Sequence, residues 1–363
     1  MHIPIEIDQI CRPTLLIKEL IVRRNIARMR NKLPIEIQFR PHFKTHQSRS
    51  IGAIYQEMGV RKTTVSSVEM AEYFANSGWT DITIAVPLNI RQLDRVVALA
   101  QAISVGILID SQSTADHLLR HLNGTERITI WLEIDAGYRR TGFRWEDTDA
   151  ISTCLNALQQ DQSSIMVNGI LTHSGHSYQL RSKQDIIALH ALTMTRMTAV
   201  KNAISRPDWC PSISIGDTPS CSLLDSFEGI DEIRPGNFVY YDLTQEQIGS
   251  CSQNDIAVAV ATPIIGIYPD RSEVVVYGGA VHFSKDSLDT GSEKLYGYLV
   301  TPHPMGWERL PMGNRLVRLS QEHGIVSVDS ERISSLRVGD LLYIQPVHAC
   351  LAAQLLHSHT HIF

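Results

Sequence analysis

The sequence predicts a (β/α)8 TIM-type barrel followed by a smaller, mostly β domain. Between residues 35 and 242, eight short apolar segments rich in β-branched residues alternate with segments of helical period. Strands separated by helices pair in parallel through crossovers. Eight such strands within about 250 residues are typical of a closed barrel. After Asp242 the valine- and isoleucine-rich segments follow one another without long helices, which indicates a second, β-rich domain.

The barrel elements can be assigned in order. A helix is expected over Leu15–Leu33, ahead of the first strand, Ile35–Arg40, in which apolar and polar residues alternate with the period of a half-buried strand. The other predicted strands are Thr63–Ser67, Asp81–Val86, Ser104–Asp110, Arg127–Asp135, Val167–His173, Ser212–Gly216 and Glu232–Asp242. The predicted helices between them are Ile51–Met58, Ser67–Asn76, Arg91–Ala102, Thr114–Leu122, Thr148–Leu158, Asp185–Ile204 and a short helix from Ser220.

The second domain is predicted to begin with a hairpin of Ile256–Ile267 and Glu273–Gly279. We expect the barrel to span residues 11–245 and the β domain to span 246–363, together with 1–10. The C-terminal histidines alternate along the chain, but a terminal segment is usually exposed and frayed, so no role is predicted for them. Further β-domain strands are predicted at Arg315–Ser320, Gly324–Val328 and Leu341–Gln345, and the C-terminal histidines are His357, His359 and His361.

Composition excludes several classes of function. The 363 residues carry a net charge of −5 and no long basic stretch, which argues against a nucleic-acid partner. No apolar run approaches the roughly 20 residues that span a bilayer, and the N-terminus lacks the apolar core of a signal peptide. The six cysteines are scattered and form no CxxC pair, as is typical of reduced thiols. We therefore expect a cytoplasmic protein with neither a nucleic-acid nor a membrane partner.

Titratable residues follow the first predicted strand, at the end of a barrel where active sites lie. A lysine that is partly buried among other cations loses its proton more easily. A neutral lysine is the nucleophile that forms a Schiff base with a carbonyl, including that of pyridoxal phosphate (PLP). The spacing alone also allows a solvated basic loop. The residues concerned are Arg40, His42, Lys44 and His46.

Two neighbouring strand ends could bind a phosphate. Ser214–Ser220, SIGDTPS, follows a strand and precedes a helix, so free backbone N–H groups could face an anion. Arg234–Asn237, RPGN, offers a second set. Asp217 would have to turn away from a phosphate or cap the helix. A plain capped turn is the alternative, but two adjacent sets agree with the phosphate sites of such barrels.

A late HAC motif has the donor types of a metal site. If His348 and Cys350 lie on a strand, their side chains point to the same face. Imidazole and thiolate suit Zn2+, and two protein ligands leave positions open for water or substrate. A buried cysteine beside an incidental histidine is the alternative. His173 and Arg140, at two other strand ends, could serve a pyridoxal ring or act as structural hydrogen-bonding groups.

Six motifs together resemble the fold-type III PLP enzymes, the alanine racemase-like group, and within it the D-serine dehydratase and D-threonine aldolase branch. They are RPHFKTH, IDAGYRRTGF, GILTHSGHSY, GDTPS, RPGNFVYYD and PVHAC, in the order of that family. The resemblance implies that Lys44 is the Schiff-base lysine, that His173 lies beside the cofactor ring and that Arg140 lies near its phenolic oxygen. It also implies cofactor contacts from Tyr178, Gly216, Thr218, Gly236, Asn237 and Tyr240, and Zn2+ or another divalent metal on His348 and Cys350.

The activity implied by this resemblance is that of a homodimeric PLP- and zinc-dependent lyase acting on a D-3-hydroxy amino acid. Lys44 would remove the α-proton, and the metal would make the β-hydroxyl a better leaving group, which yields a keto acid and ammonia. Retro-aldol cleavage to glycine and an aldehyde uses the same groups and is the first alternative. Racemisation and a non-catalytic PLP carrier are further alternatives. The racemases lack the HAC metal pair, which makes simple racemisation less favoured.

Overall fold

The computed structural model describes residues 9–122, 126–160, 165–291 and 293–363. The chain divides into two compact units, each described by itself below. The barrel unit consists of residues 29–44 and 48–236. The β unit consists of the described residues up to Arg28, together with 45–47 and 237–363.

The α-helices and strands of the described residues have the following bounds. The helices are α1 (Glu19–Asn31), α2 (Arg49–Glu57), α3 (Val68–Ala75), α4 (Leu93–Ala102), α5 (Gln112–Leu119), α6 (Thr148–Gln160), α7 (Lys183–Ile204), α8 (Thr218–Leu223), α9 (Leu243–Ile248), α10 (Ala280–Phe283), α11 (Ser330–Ile333) and α12 (Ala349–Leu355). The strands are β1 (Thr14–Ile17), β2 (Gln38–Phe39), β3 (Thr63–Val65), β4 (Asp81–Pro87), β5 (Ser104–Ile109), β6 (Ile128–Asp135), β7 (Phe143–Arg144), β8 (Ile165–Leu171), β9 (Ser212–Ile215), β10 (Glu232–Ile233), β11 (Val258–Tyr268), β12 (Glu273–Tyr277), β13 (Leu288–Asp289), β14 (Lys294–Leu295), β15 (Gly297–His303), β16 (Gly306–Arg309), β17 (Arg315–Leu319), β18 (His323–Ser327), β19 (Leu341–Pro346) and β20 (Thr360–Ile362).

The barrel unit contains eight parallel strands in the order β2-β10-β9-β8-β6-β5-β4-β3, and the short strand β7 pairs with β6 outside this order. The two ends of this sheet meet just after β2. There the Phe43 amide donates to the Thr64 carbonyl at 2.8 Å, and the Thr64 amide donates to the Pro41 carbonyl at 3.0 Å. These bonds close the barrel, and the predicted (β/α)8 fold is confirmed.

Strand-to-helix turns of the barrel are fixed by serine caps. Ser67 follows β3 and accepts a hydrogen bond from the Met70 amide at the start of α3. Ser111 follows β5 and accepts one from the Thr114 amide in α5. A serine oxygen in this position satisfies an amide that has no partner within the helix. The local sequence therefore determines where these helices begin.

Two predicted barrel strands are much shorter than expected. The first is reduced to Gln38–Phe39, and Ile35 at its predicted start is 97% exposed. The last is reduced to Glu232–Ile233 because Pro235 donates no amide hydrogen bond and a 3-10 turn follows at Asn237–Val239. The other six predicted barrel strands are confirmed, with ends that differ by a few residues.

The β unit is built on an antiparallel sheet. Strands β12, β18, β17, β15, β19 and β11 pair in that order, and the pairing of β11 with β12 closes them into a ring. The predicted hairpin of β11 and β12 is confirmed. β1 pairs antiparallel with β11, and β20 pairs parallel with β1. The short strands β13 and β14 pair with each other.

Two predictions for these segments are wrong. Thr14–Ile17 is a buried strand, and the helix predicted over Leu15–Leu33 begins only at Glu19. The C-terminal segment is not frayed, because Thr360–Ile362 pairs with β1. The prediction that residues 1–10 join the β domain stays a prediction, because residues 1–8 lie outside the described residues. None of the helices described is both long and apolar enough to span a bilayer.

Candidate active site

Strand β2 ends at Phe39 and is followed by Arg40 and Pro41. Lys44 lies three residues after Pro41, just beyond the closure of the barrel. Its side chain is exposed, so the partial burial expected for it is wrong. Arg40 is also not a free cation beside it, because the guanidinium pairs with Glu232 at 2.6 Å and with Asp81 at 2.5 Å. What the structure provides is an accessible amine at the carboxyl end of a barrel strand, where a carbonyl compound can reach it.

His173 is held as a neutral ring. Its Nδ1 hydrogen-bonds the carbonyl oxygen of Gly216, so Nδ1 carries the proton and Nε2 is left as an acceptor. Burial and the positive charges of Lys44 and Arg140 together lower the pKa of His173 to about 3. We therefore expect the ring to stay uncharged throughout the physiological range, as stacking against a flat aromatic group requires.

Arg140 and His173 both contact Tyr138, an aromatic residue that the sequence analysis did not single out. The Arg140 guanidinium carbon lies 5.3 Å from the centre of the Tyr138 ring. Tyr138 meets His173 edge-on at 6.1 Å and stacks on His176 at 5.6 Å. The loop that carries Tyr138 and Arg140 is fixed, because Asp135 Oδ1 accepts hydrogen bonds from the backbone amides of two of its residues. Two of the predicted site residues are thus brought to one cluster.

Glu133 is a second residue that the sequence analysis missed. It is buried on β6, where a period of two places it on the same face as Trp131. Its Oε1 accepts a hydrogen bond from Thr141 Oγ1 at 2.8 Å, while Oε2 has no partner among the described residues. Burial raises the pKa of Glu133 against the opposing effects of Thr141 and Arg140. The signal available was a glutamate enclosed by apolar residues in ITIWLEID, two positions before the Asp135 that ends the strand.

The free energy of unfolding of the Glu133→Gln variant, relative to that of the native chain, is expected to increase as pH rises. The pKa of Glu133 is higher in the folded than in the unfolded chain, so its contribution to stability is present at low pH and is lost as pH rises through the folded value. Glutamine does not ionise and keeps an acceptor for Thr141. Urea unfolding at pH 5 and pH 8 measures the difference, with exposed Glu228→Gln as control. A difference between variant and native chain that is constant with pH would contradict the prediction.

The predicted phosphate loop begins at Gly216 and contains an unsatisfied hydroxyl. Asp217 caps α8, since its Oδ1 accepts the Ser220 amide at 2.8 Å and Ser177 Oγ at 3.0 Å. Thr218 donates its amide to the Tyr178 hydroxyl at 3.4 Å. The Thr218 Oγ1 is buried and has no partner among the described residues. An oxyanion would satisfy this hydroxyl, so the loop fits a phosphate, and Asp217 caps the helix as the sequence required.

Glycine at position 216 has a packing reason of its own. A Cβ there would lie 2.9 Å from the Cβ of Arg234 and 3.0 Å from its carbonyl oxygen. Arg234 is buried and donates to Ser214 Oγ at 2.8 Å and to the Thr172 carbonyl at 2.7 Å. Burial lowers the pKa of Arg234 to about 10. The close approach of these strand ends therefore needs glycine whether or not a phosphate binds. Gly236, another predicted cofactor contact, is buried in the segment that follows Arg234.

Two residues of the predicted cofactor site belong to the β unit. Asn237 Nδ2 donates to Asp242 Oδ2 at 2.6 Å and to Cys350 Sγ at 3.4 Å, while its buried Oδ1 has no partner among the described residues. Tyr240 is fully buried, which raises the pKa of its hydroxyl. The side chain of Asn237 thus contacts Cys350 of the predicted metal pair.

The predicted metal pair does not lie on a strand. His348 is the N-cap of α12, and Cys350 is in the first turn of that helix. The two side chains nevertheless hydrogen-bond each other. Burial alone would lower the pKa of His348, but hydrogen bonds to Asp286 and Cys350 raise it to about 11. Within the described residues no group of three or more His, Cys, Asp or Glu side chains could hold a metal.

Two further contacts support this donor set. His348 Nδ1 lies 2.6 Å from Asp286 Oδ2, so Nε2 is the nitrogen that would bind a metal, which would displace the proton from it. Cys350 Sγ lies 3.3 Å from the hydroxyl of Thr45, the residue that follows Lys44 in the sequence. A histidine backed by a carboxylate and a cysteine that accepts hydrogen bonds are ligands of the kind that Zn2+ takes. These residues therefore fit a divalent metal.

Comparison with known families decides the relationship. The family model described as alanine racemase, N-terminal domain, matches residues 20–244. The chain belongs to this family. A second model, that of a serine dehydratase domain, matches residues 257–362, so the chain combines the racemase N-terminal domain with a serine dehydratase domain. The resemblance to fold-type III enzymes is confirmed, and this family implies PLP as cofactor.

Relatives of this alanine racemase-family chain include two curated dehydratases. The D-threo-3-hydroxyaspartate dehydratase of Delftia sp. (strain HT23) is 28% identical over 338 residues, covering 91% of this chain and 88% of the relative. The D-serine dehydratase of Dictyostelium discoideum is 29% identical over 374 residues, covering 96% and 93%.

Solved structures agree with this relationship. The structure of the Delftia enzyme has a TM-score of 0.86 at 27% identity, covering 96% of this chain and 93% of that chain. A cysteine-to-alanine mutant of a D-threo-3-hydroxyaspartate dehydratase, described as being in the metal-free form, matches with the same TM-score, coverage and identity. The D-threonine aldolase of Filomicrobium marinum has a TM-score of 0.77 at 18% identity, covering 95% and 91%, which shows a shared fold.

Proposed function

We propose that the chain is a PLP- and zinc-dependent lyase that eliminates water from a D-3-hydroxy amino acid. Hydrolysis of the resulting enamine then gives a keto acid and ammonia. The observation that carries the proposal is the His348–Cys350 donor pair in a chain whose barrel has an accessible lysine, Lys44, at a strand end. Support also comes from the two curated relatives, which act on D-threo-3-hydroxyaspartate and D-serine.

Residues of the barrel unit would hold most of the cofactor. Lys44 would bind it covalently, the Thr218 hydroxyl would donate to its phosphate, and the neutral His173 ring would lie against its pyridine ring. When bound, PLP withdraws electrons from the bond that is broken at the substrate Cα. We also propose the other predicted contacts, which are Arg140, Tyr178, Gly216, Gly236, Asn237 and Tyr240.

Lys44 would move the substrate proton. An exposed lysine amine at the strand end can accept the α-proton when its nitrogen is neutral. His173 cannot supply a positive charge to the cofactor ring, because the low pKa of His173 keeps the imidazole neutral. Of these two side chains, Lys44 is therefore our choice for the proton transfer at Cα.

His348 and Cys350 would bind Zn2+ through Nε2 and Sγ. Zinc in such a site supplies a Lewis acid that stabilises the departing β-hydroxyl. Hydrogen bonds to a thiolate favour its ionised form. The Asn237 amide donates such a bond to the Cys350 sulfur, and the Thr45 hydroxyl is placed to do so. The remaining coordination positions are left for the substrate.

The test uses purified protein loaded with PLP and Zn2+, with D-serine, D-threo-3-hydroxyaspartate and D-threonine supplied separately. Keto acid and ammonia are assayed against glycine and aldehyde, with and without EDTA. We expect metal-dependent keto acid. Glycine plus aldehyde would identify an aldolase, and conversion to the L-isomer would identify a racemase. Bound PLP without turnover of any substrate would favour a carrier.

Thr218→Val is expected to weaken PLP binding roughly 10- to 100-fold, because a hydrogen bond to a charged group contributes about 1.5–3 kcal/mol. Valine has the shape of threonine but lacks the hydroxyl, which is buried and has no partner among the described residues. Equilibrium dialysis of the cofactor-free protein against PLP measures the affinity. Thr195→Val is the control, since Thr195 bonds only within α7 by the contacts described. An affinity within twofold of the native value would remove Thr218 from the phosphate site.

A further inference from the structure

We propose that Asp286 is a positioning residue that fixes the His348 ring with Nε2 directed to the metal. This inference rests on the proposed function, because it concerns the metal of that site. The carboxylate Oδ2 of Asp286 lies 2.6 Å from His348 Nδ1. The two residues are 62 positions apart in the sequence, so the fold brings them together.

The backbone of His348 is held independently of its ring. The next residue, Ala349, donates its amide to the buried carboxylate of Asp242 at 2.9 Å. His348 is also the N-cap of α12, with an extended backbone. These contacts fix where the side chain starts but not how the imidazole turns about χ1 and χ2. The ring itself contacts Cys350 and Asp286, and the contact with Asp286 Oδ2 is the one that holds Nδ1.

Asp286 is itself held in place. Its amide donates to Ser284 Oγ at 3.1 Å in the turn that follows α10. Ser284 has a φ of 70°, in the left-handed region that non-glycine residues rarely adopt. An anchored loop presents its carboxylate with less loss of conformational freedom than a mobile one. The loop is therefore suited to holding the ring.

A carboxylate on one ring nitrogen affects the other. Nδ1 donates its proton to the carboxylate, which selects the tautomer whose Nε2 lone pair is free for a metal. Loss of such an outer carboxylate typically lowers metal affinity about 10- to 100-fold. A simple surface ion pair is the alternative, since the Asp286 side chain is 51% exposed. An ion pair of that kind only stabilises the imidazolium form, so its loss would not weaken metal binding.

The experiment measures Zn2+ affinity of the PLP-loaded protein by competition with a chromophoric chelator. Asp286→Ala is expected to bind Zn2+ about 10- to 100-fold more weakly than the native protein. Asp286→Asn keeps an oxygen acceptor but loses the charge. Its Zn2+ affinity is expected to lie between those of Asp286→Ala and the native protein. Asp289→Asn is the matched control, because this exposed carboxylate lies three residues away and contacts the Gly291 amide. Visible absorbance of bound PLP reports correct folding in every variant.

The outcomes separate this inference from the proposed function. If the native protein binds Zn2+ and His348→Ala abolishes binding, while Asp286→Ala stays within twofold of native, then Asp286 is not a positioning residue and the metal site stands. If the native protein binds no Zn2+, both the metal site and the role of Asp286 are overturned. Should Asp286→Ala lose its PLP absorbance, Asp286→Asn carries the comparison, and native affinity in that variant would overturn the inference.

Discussion

Lys44→Ala is expected to abolish covalent retention of PLP and to lower kcat by at least about 1,000-fold. Lys44 is the residue proposed both to bind the cofactor and to move the α-proton, and loss of proton transfer alone costs about 100- to 10,000-fold. Alanine at this exposed position removes no buried packing, so the fold should persist. Borohydride reduction followed by mass spectrometry of the peptide that contains Lys44 measures covalent PLP directly.

Lys183→Ala is the control for this prediction, because Lys183 is exposed on α7 and pairs with Asp225 at the surface. It should retain both PLP labelling and turnover. Native labelling of a different peptide in the Lys44→Ala protein would show that another amine holds the cofactor. Full turnover by Lys44→Ala, with PLP absent, would contradict the assignment of the barrel as a PLP site.

The barrel could be predicted because its determinants are local. The period of the strands and the break at Pro41 act within a few residues, and six of the eight predicted strands have ends within a few residues of those observed. Lys44 could be singled out for the same reason. Its exposure could not be predicted, since burial depends on neighbours from other strands. The pairing of Arg40 with Glu232, 192 positions away, is equally invisible to local reasoning.

For the predicted metal pair, too, the features set by local sequence could be predicted and those set by distant contacts could not. Residue type was enough to select His348 and Cys350, although the strand assumed for them is wrong and their side chains meet at a helix start instead. Asp286 could not be selected, because nothing in its surroundings along the chain marks it and its partner is 62 residues away. The domain limits of 11–245 and 246–363, the homodimer and the cytoplasmic location stay predictions.

Cys350→Ala is expected to lower Zn2+ affinity by more than the roughly 100-fold that loss of an outer carboxylate costs, because it removes one of two protein ligands. Turnover should fall with it, since Lewis-acid stabilisation of several kcal/mol corresponds to a rate change of at least about 100-fold. PLP absorbance should not change, because Lys44 and Thr218 are intact.

Cys11→Ala is the matched control for Cys350→Ala, because the Cys11 thiol is exposed. It should bind Zn2+ and turn over substrate as the native protein does. Metal content by elemental analysis and keto-acid release, measured on the same preparation, distinguish the two roles of Cys350. Loss of metal with native turnover would make the zinc structural, whereas native metal with lost turnover would place the sulfur at the substrate instead. Joint loss of both, with PLP retained, is the result that supports a metal acting on the leaving hydroxyl.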